Sequence, residues 1–164
     1  MRYLILLAGI GKRMGSKLGG LPKCLIDIHG EPLIKRLLRQ IRNNDPHADI
    51  HVVLGYKNEM ILPFLDNCKI FINPFFDITC ISASLWFARS SFDQPLMIIH
   101  GDVVLSSELA ADLFPAEAEL LIAYDSSILD PKEINIAVNG TRVTHFGVNF
   151  SGYSGVYACV FKLS

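Results

Sequence analysis

Four cations, Lys12, Arg13, Lys17 and Lys23, stand close together near the amino terminus, with no carboxylate before Asp27. They accompany Gly9 and Gly11, which end the apolar run Tyr3-Leu4-Ile5-Leu6-Leu7. Such a run reads as a buried parallel strand. Glycines at its end let the backbone turn sharply and approach a ligand with no Cβ in between. A glycine turn loaded with cations at a strand terminus is a place to hold a polyphosphate. Far along the chain, Gly101-Asp102 ends a second apolar run, Met97-Ile98-Ile99-His100. A carboxylate at that lip can hold a hard cation such as Mg2+, which takes oxygen ligands and bridges protein to phosphate. It can equally serve as a turn or capping aspartate before Val103-Val104-Leu105-Ser106.

Two familiar phosphate loops do not fit the first segment. A dinucleotide fingerprint needs Gly-x-Gly-x-x-Gly, but Met14 stands at the third position and Gly15 comes one residue late. A Walker loop needs Gly-Lys-Ser/Thr, and here Arg13 follows Gly11-Lys12.

The elements that must position these residues alternate along the chain. After the first strand, residues 24–28 read as a short extended piece ending at His29-Gly30. Pro32 opens a helix whose apolar positions Leu33, Ile34, Leu37, Leu38 and Ile41 recur at helical spacing. Its other side carries Lys35, Arg36, Arg39 and Arg42, read as a solvated helix face. A strand at 51–54 ends at Gly55-Tyr56, and a helix at 58–66 leads to a strand at 69–73. A helix at 79–90 precedes the strand at 96–100. This order predicts an α/β domain with a mainly parallel sheet, its ligands gathered outside the carboxyl ends of the strands. The glycine-cation loop, Gly55-Tyr56, Asn73 and Gly101-Asp102 then open onto one crevice. Beyond residue 118 the pattern predicts a core strand at 120–124, extended chain at 134–138, a hairpin turn at Asn139-Gly140 answered by 142–146, and a last strand at 155–163.

The chain has 164 residues, 51% of them hydrophobic, 19% charged, and a formal net charge of −1. That composition suits one packed domain and offers no overall field for nucleic acid. No apolar stretch reaches membrane-spanning length and no signal-peptide layout opens the chain, so a cytoplasmic location is expected. Cys24, Cys68, Cys80 and Cys159 form no Cys-x-x-Cys pair and read as buried reduced thiols. His29, His47, His51 and His145 show no ligand spacing, and His100 reads as a core histidine. Ile81, Leu85 and Ala88 read as a helix core face, with Trp86 and Phe87 as packing residues.

The first motif resembles the opening signature of the nucleotidyltransferase superfamily, Leu-x-Ala-Gly-x-Gly-x-Arg-Met followed by Pro-Lys, at Leu6, Ala8, Gly9, Gly11, Arg13, Met14, Pro22 and Lys23. Leu7-Ala8 stands where the family has a double alanine. Asn73, Thr79, Ser84 and Leu85 match a stretch found in sugar-phosphate and phosphocholine cytidylyltransferases; Phe76 replaces its tyrosine and Cys80 its second asparagine. Gly55-Tyr56-Lys57 is similar to a turn near the nucleobase in that subgroup, and residues 155–161 to its Gly-Ile-Tyr-x-Phe strand. The guanylyltransferases of the molybdenum cofactor share the first motif and are the less expected relative.

The resemblance implies a Rossmann-like three-layer sandwich with a mixed, mainly parallel sheet. It also implies Mg2+-dependent transfer of a nucleoside monophosphate, CMP as first expectation, from a nucleoside triphosphate to a phosphorylated sugar or alcohol. In-line attack at the α-phosphorus needs fixed positive charge more than covalent help. Lys23 and Arg13 are the expected catalytic cations, Arg13 with a forked donor for the departing pyrophosphate. Leu7, Ala8, Gly9, Gly11, Lys12, Arg13, Lys23, Gly55, Tyr56, Asn73, Ser84 and Gly101 are expected around the nucleotide, and Asp102 on the metal. Family domains run well past the last strand, into a helical segment, acceptor-binding residues and a second metal-binding aspartate. The single domain 1–164 therefore reads as lacking that part, with Asp125 and Asp130 the remaining acidic candidates. A longer protein, a partner subunit or a remnant each accounts for this, and a homo-oligomer is compatible. The competing expectation is a non-catalytic nucleotide-binding module.

Overall fold

The computed structural model describes residues 1–11 and 19–164. Strand β1 (Arg2–Leu7) is the axis of the molecule. Its alternating side chains divide between two layers, Tyr3, Ile5 and Leu7 on one face and Leu4 and Ala8 on the other. A strand apolar on both faces must be covered on both, so it takes a central position. Two two-residue strands, β2 (Asp27–Ile28) and β3 (Glu31–Pro32), form a small hairpin that leads into α1 (Leu33–Asn44). The apolar stripe of α1 packs on the Tyr3-Ile5-Leu7 face.

Strand β4 (Asp49–Leu54) pairs parallel with β1, and β5 (Lys69–Ile72) pairs parallel with β4, after α2 (Asn58–Ile61). Helix α3 (Ile81–Phe87) covers the opposite face, where Leu85 and Ala88 meet Leu4, Val53 and Ile98. Strand β6 (Leu96–His100) lies parallel on the other side of β1, and α4 (Ser107–Leu113) returns beside α1. Ser106 caps α4, its hydroxyl accepting from the Leu109 N–H at 3.1 Å. Parallel pairing aligns Leu7 with Leu54, Leu54 with Ile72, and Leu6 with His100. Four strand ends thus finish level on one edge.

The remaining strands, β7 (Leu120–Asp125), β8 (Asn135–Asn139), β9 (Arg142–Gly147) and β10 (Gly155–Leu163), are antiparallel. The order β5-β4-β1-β6-β10-β8-β9, with β7 beside β10, makes a mixed eight-stranded sheet among the described residues. With helices on both faces, this is the α/β three-layer sandwich. An irregularity between Tyr157 and Phe161, with Cys159 at φ 64°, lets β10 pair with β8 near its start and β6 near its end.

Several local expectations need correction. Residues 23–25 form a 3₁₀ turn rather than extended chain, because the Leu25 N–H reaches back to the Pro22 carbonyl. The helix expected at 58–66 tightens to 3₁₀ over Leu62–Phe64, where Pro63 has no N–H to donate. The helix expected at 79–90 runs over Ile81–Phe87 and then tightens over Arg89–Ser91. The hairpin turn is Gly140-Thr141, with Asn139 paired to Arg142 and Gly140 at φ 60°. Strand β7 is core on one face only: Leu121 and Ala123 pack against the main cluster, while Leu120 and Tyr124 are exposed. Ile81 and Trp86 are also exposed; the Arg89 guanidinium lies over the Trp86 ring at 4.8 Å. Of the four cysteines only Cys24 is buried, and Cys80 is exposed.

Candidate active site

The level strand ends border a cleft lined by Leu6, Leu7, Ala8, Gly9, Gly11, Pro22, Lys23 and Cys24 on one side. Asn73, Phe76, Thr79, Cys80, Ile81 and Ser84 form another wall, and His100, Gly101 and Asp102 the third. Gly101 turns the chain outward from β6. Its N–H donates to the Leu6 carbonyl at 3.0 Å, and an added Cβ would lie 1.8 Å from Leu7 Cδ2. No side chain fits there, so Asp102 is delivered to the lip by a contact that demands glycine.

Lys23 arrives from the opposite lip. Pro22, at φ −55°, sets the chain, and the 3₁₀ turn that follows fixes the Lys23 backbone. Its stem lies against Gly11, which has φ 74° and whose added Cβ would stand 2.8 Å from Lys23 Cε. The ammonium donates to Asp102 Oδ2 at 3.1 Å, with the two side chains 22% and 45% exposed. Residues 79 positions apart in sequence therefore meet in one cleft.

Asn73 is buried and fully engaged. Its Nδ2 donates to Ser84 Oγ at 3.1 Å and Thr79 Oγ1 at 3.3 Å, while Oδ1 accepts from the Phe75 N–H. Asn73 and Ser84 thus brace the wall as well as line it. Gly55 and Tyr56 stand behind that wall rather than in it. The Tyr56 N–H donates to the Ala8 carbonyl at 3.1 Å, its ring packs on Phe76, and its hydroxyl and Lys57 Nζ both donate to the Gly20 carbonyl. Lys12 and Arg13 lie outside the described residues.

The stretch that holds Phe76, Thr79 and Cys80 was legible as a nucleotide-side segment from its resemblance, whereas His100, read as a core residue, also lines the cleft; its signal was its place at the end of β6. Burial holds the His100 imidazole below its ordinary value, against a smaller upward pull from Asp102. Burial likewise pushes the Cys24 thiol up to about 12. Exposed Cys80 is shifted the other way by the Ser82 hydroxyl and neighbouring N–H groups. The two remaining acidic candidates are engaged elsewhere: Asp125 Oδ1 accepts from Ser127 and Asp130 Oδ1 from the Lys132 N–H.

The sequence profile of the MobA-like NTP transferase domain matches residues 3–129. The chain belongs to this family. It is also 34% identical over 104 residues to the bifunctional protein GlmU of Thermosipho africanus, and 26% identical over 110 residues to that of Methanocaldococcus jannaschii. Those matches take in 63% and 66% of this chain but only 22% and 26% of the relatives, about a quarter of their length. Among solved structures, a CTP:phosphocholine cytidylyltransferase from Streptococcus pneumoniae superposes with a TM-score of 0.80 at 18% identity, covering 99% of this chain and 70% of that one. The inositol-1-phosphate CTP transferase from T. maritima gives 0.74 at 20% identity, with coverage of 99% and 70%. These likenesses show that the NTP transferase domain has the nucleotidyltransferase fold.

The donor set of the domain also bears on Mg2+. Asp102 offers one carboxylate at the cleft lip, and no group of three His, Cys, Asp or Glu side chains is placed to hold a metal among the described residues. That fits a cation carried largely by phosphate oxygens, which Mg2+ accepts with one carboxylate and waters. It does not describe an all-protein cage.

Proposed function

We propose that this domain transfers a nucleoside monophosphate from a nucleoside triphosphate to a phosphorylated sugar or alcohol, with release of pyrophosphate. The observation that carries the reading is the meeting of Lys23 and Asp102 across a cleft whose floor is the glycine turn after β1. Gly9 adds to it: a Cβ built there meets no atom of the described residues within 4 Å, so packing against them does not explain the missing side chain. A close-lying phosphate does.

In this mechanism an oxygen of the acceptor phosphate attacks the α-phosphorus, the new P–O bond forms, and the bond to the pyrophosphate oxygen breaks. The acceptor oxygen is already ionised, so no general base is required. Lys23 offsets the charge that builds on the α-phosphate oxygens, and its preorganisation by Gly11 and Pro22 means that little rearrangement is needed. Arg13, as the motif has it, steadies the departing pyrophosphate. Mg2+, held by Asp102 and the phosphates, would supply further charge neutralisation. Asn73, through Ser84 and Thr79, keeps the nucleotide-side wall rigid.

CTP is the favoured nucleotide, because two of the superposed enzymes are CTP transferases. Pyrophosphate release from CTP, GTP, UTP and dTTP, each with phosphocholine, inositol 1-phosphate and hexose 1-phosphates, tests the proposal. Turnover lost in Lys23→Ala and Asp102→Asn supports it. A second reading, a nucleotide-binding module without turnover, is favoured by the single acidic group at the lip. Tight binding of a metal nucleotide, with no pyrophosphate formed across the whole panel, would select it.

A further inference from the structure

We propose that the Lys23–Asp102 contact is a latch, closing the acidic lip to free divalent cations so that the cleft admits its metal only together with a triphosphate. The inference rests on the reading of Asp102 as the metal-side carboxylate. Three observations carry it. The ammonium occupies Asp102 Oδ2 at 3.1 Å, so that oxygen is engaged by a cation belonging to the protein itself. The Lys23 stem is wedged against Gly11, closer than any Cβ at that position would allow, and its backbone is fixed by the turn after Pro22. No cluster of further His, Cys or acidic groups stands ready to help Asp102 among the described residues.

A bare cation arriving at this lip must either displace the ammonium from Oδ2 or take Oδ1 beside that like charge, and shed water in return for a single carboxylate. Mg2+ sheds water reluctantly, so that exchange is unfavourable. A metal triphosphate changes the count of partners. Its phosphate oxygens accept the Lys23 hydrogen bond in place of Asp102, and Asp102 turns from the ammonium to the arriving cation. Each charged group trades one partner for another and none is left alone in the cleft. A pair as exposed as this one is weak, so the latch yields readily when both replacements arrive together.

The test is a titration of the nucleotide-free full chain with Mn2+, free ion being read by electron paramagnetic resonance. Lys23→Met keeps the stem against Gly11 and removes the ammonium; it is expected to tighten Mn2+ binding roughly five- to tenfold over the wild type. Lys23→Gln should move the same way and decides the matter if the methionine variant is not folded. Lys35→Gln, which removes a cation from the outer side of α1, should leave Mn2+ binding where it is. Equal Mn2+ binding by the wild type and both Lys23 variants would overturn the latch, as would an equal gain in Lys35→Gln. The double variant Lys23→Met/Asp102→Asn separates the latch from its premise. Loss of the gain supports both, whereas a gain that persists without Asp102 removes the metal-side assignment itself.

Discussion

In β1, β4 and β6, Leu4, Ile5, Val52, Val53, Ile98 and Ile99 are all 0% exposed, closed on one face by α1 and α4 and on the other by α3. In β7 and β9 the equivalent positions stand open, with Leu120 at 54% and Phe146 at 51%. The irregularities of the sheet gather in that second half: the displaced register of β10, Cys159 at φ 64°, and two buried polar atoms, Asn135 Oδ1 and Tyr157 Oη, with no hydrogen-bond partner among the described residues. Every described residue that lines the cleft comes from the first half. The parallel half therefore carries the strands covered on both faces and the geometry of the site, while the antiparallel half closes the sheet with its outer strands partly open.

The comparison breaks most directly on stability. Ile5→Ala should lower the unfolding free energy by about 2–5 kcal/mol, the cost of a cavity under full cover, whereas Leu120→Ala should stay within about 0.5 kcal/mol. Urea denaturation of the two variants side by side checks this, and equal losses would erase the distinction. Next in size is a loss of activity without a loss of fold. Lys23→Ala should reduce kcat/KM by roughly 10^2 to 10^3-fold in the pyrophosphate assay while its urea midpoint stays near that of the wild type. A fall below about tenfold would detach the site from Lys23.

A smaller effect concerns the end of the parallel half opposite the cleft. Burial lowers the His51 pKa, against an opposing pull from Asp49; the ring sits between Asp49 Oδ1 at 3.1 Å and Ser91 Oγ at 2.7 Å, with Arg2 and Lys69 nearby. As pH falls through the ordinary histidine range the unfolded chain takes up this proton first, so stability present at pH 7.5 declines toward pH 5.5. One group limits that slope to about 1.4 kcal/mol per pH unit. His51→Gln should flatten it, and an unchanged slope would assign the pH dependence to other groups. The smallest effect belongs to the antiparallel half. Tyr157 is only 7% exposed and its hydroxyl has no partner among the described residues, so Tyr157→Phe should be neutral or stabilising by up to about 1 kcal/mol in the same denaturation assay.

Much of the parallel half could be read from residue order, because apolar runs and glycine turns are local signals. The strand ends at Leu7, Leu54, Ile72 and His100, and the cleft they share, follow from such runs and from the rule for parallel sheets. Long-range polar pairing was not visible. Nothing in the spacing of Asn73, Thr79 and Ser84 announces that one amide holds the other two hydroxyls, and nothing local joins Arg2 to Asp49 and Asp93. The apolar run in β7 overstated its burial for a related reason. A run tells how a segment will extend, but whether it is covered depends on which elements pack beside it. Gly55 and Tyr56 show the same limit on a smaller scale: their place near the cleft was legible, whereas their position behind Phe76 depended on a contact with Ala8.

Strand β1 and the residue that follows it reach the other two walls of the cleft, through Leu7 against Gly101 and through the Ala8 carbonyl on the Tyr56 N–H that backs the Phe76 wall. One strand thus serves as the common ruler for the whole constellation. Deleting or inserting a single residue within it would exchange its two faces and carry the glycine turn out of reach of both lips at once. Divergence in what the domain accepts is therefore channelled away from β1 and toward the segments that border the cleft without sharing its reference frame.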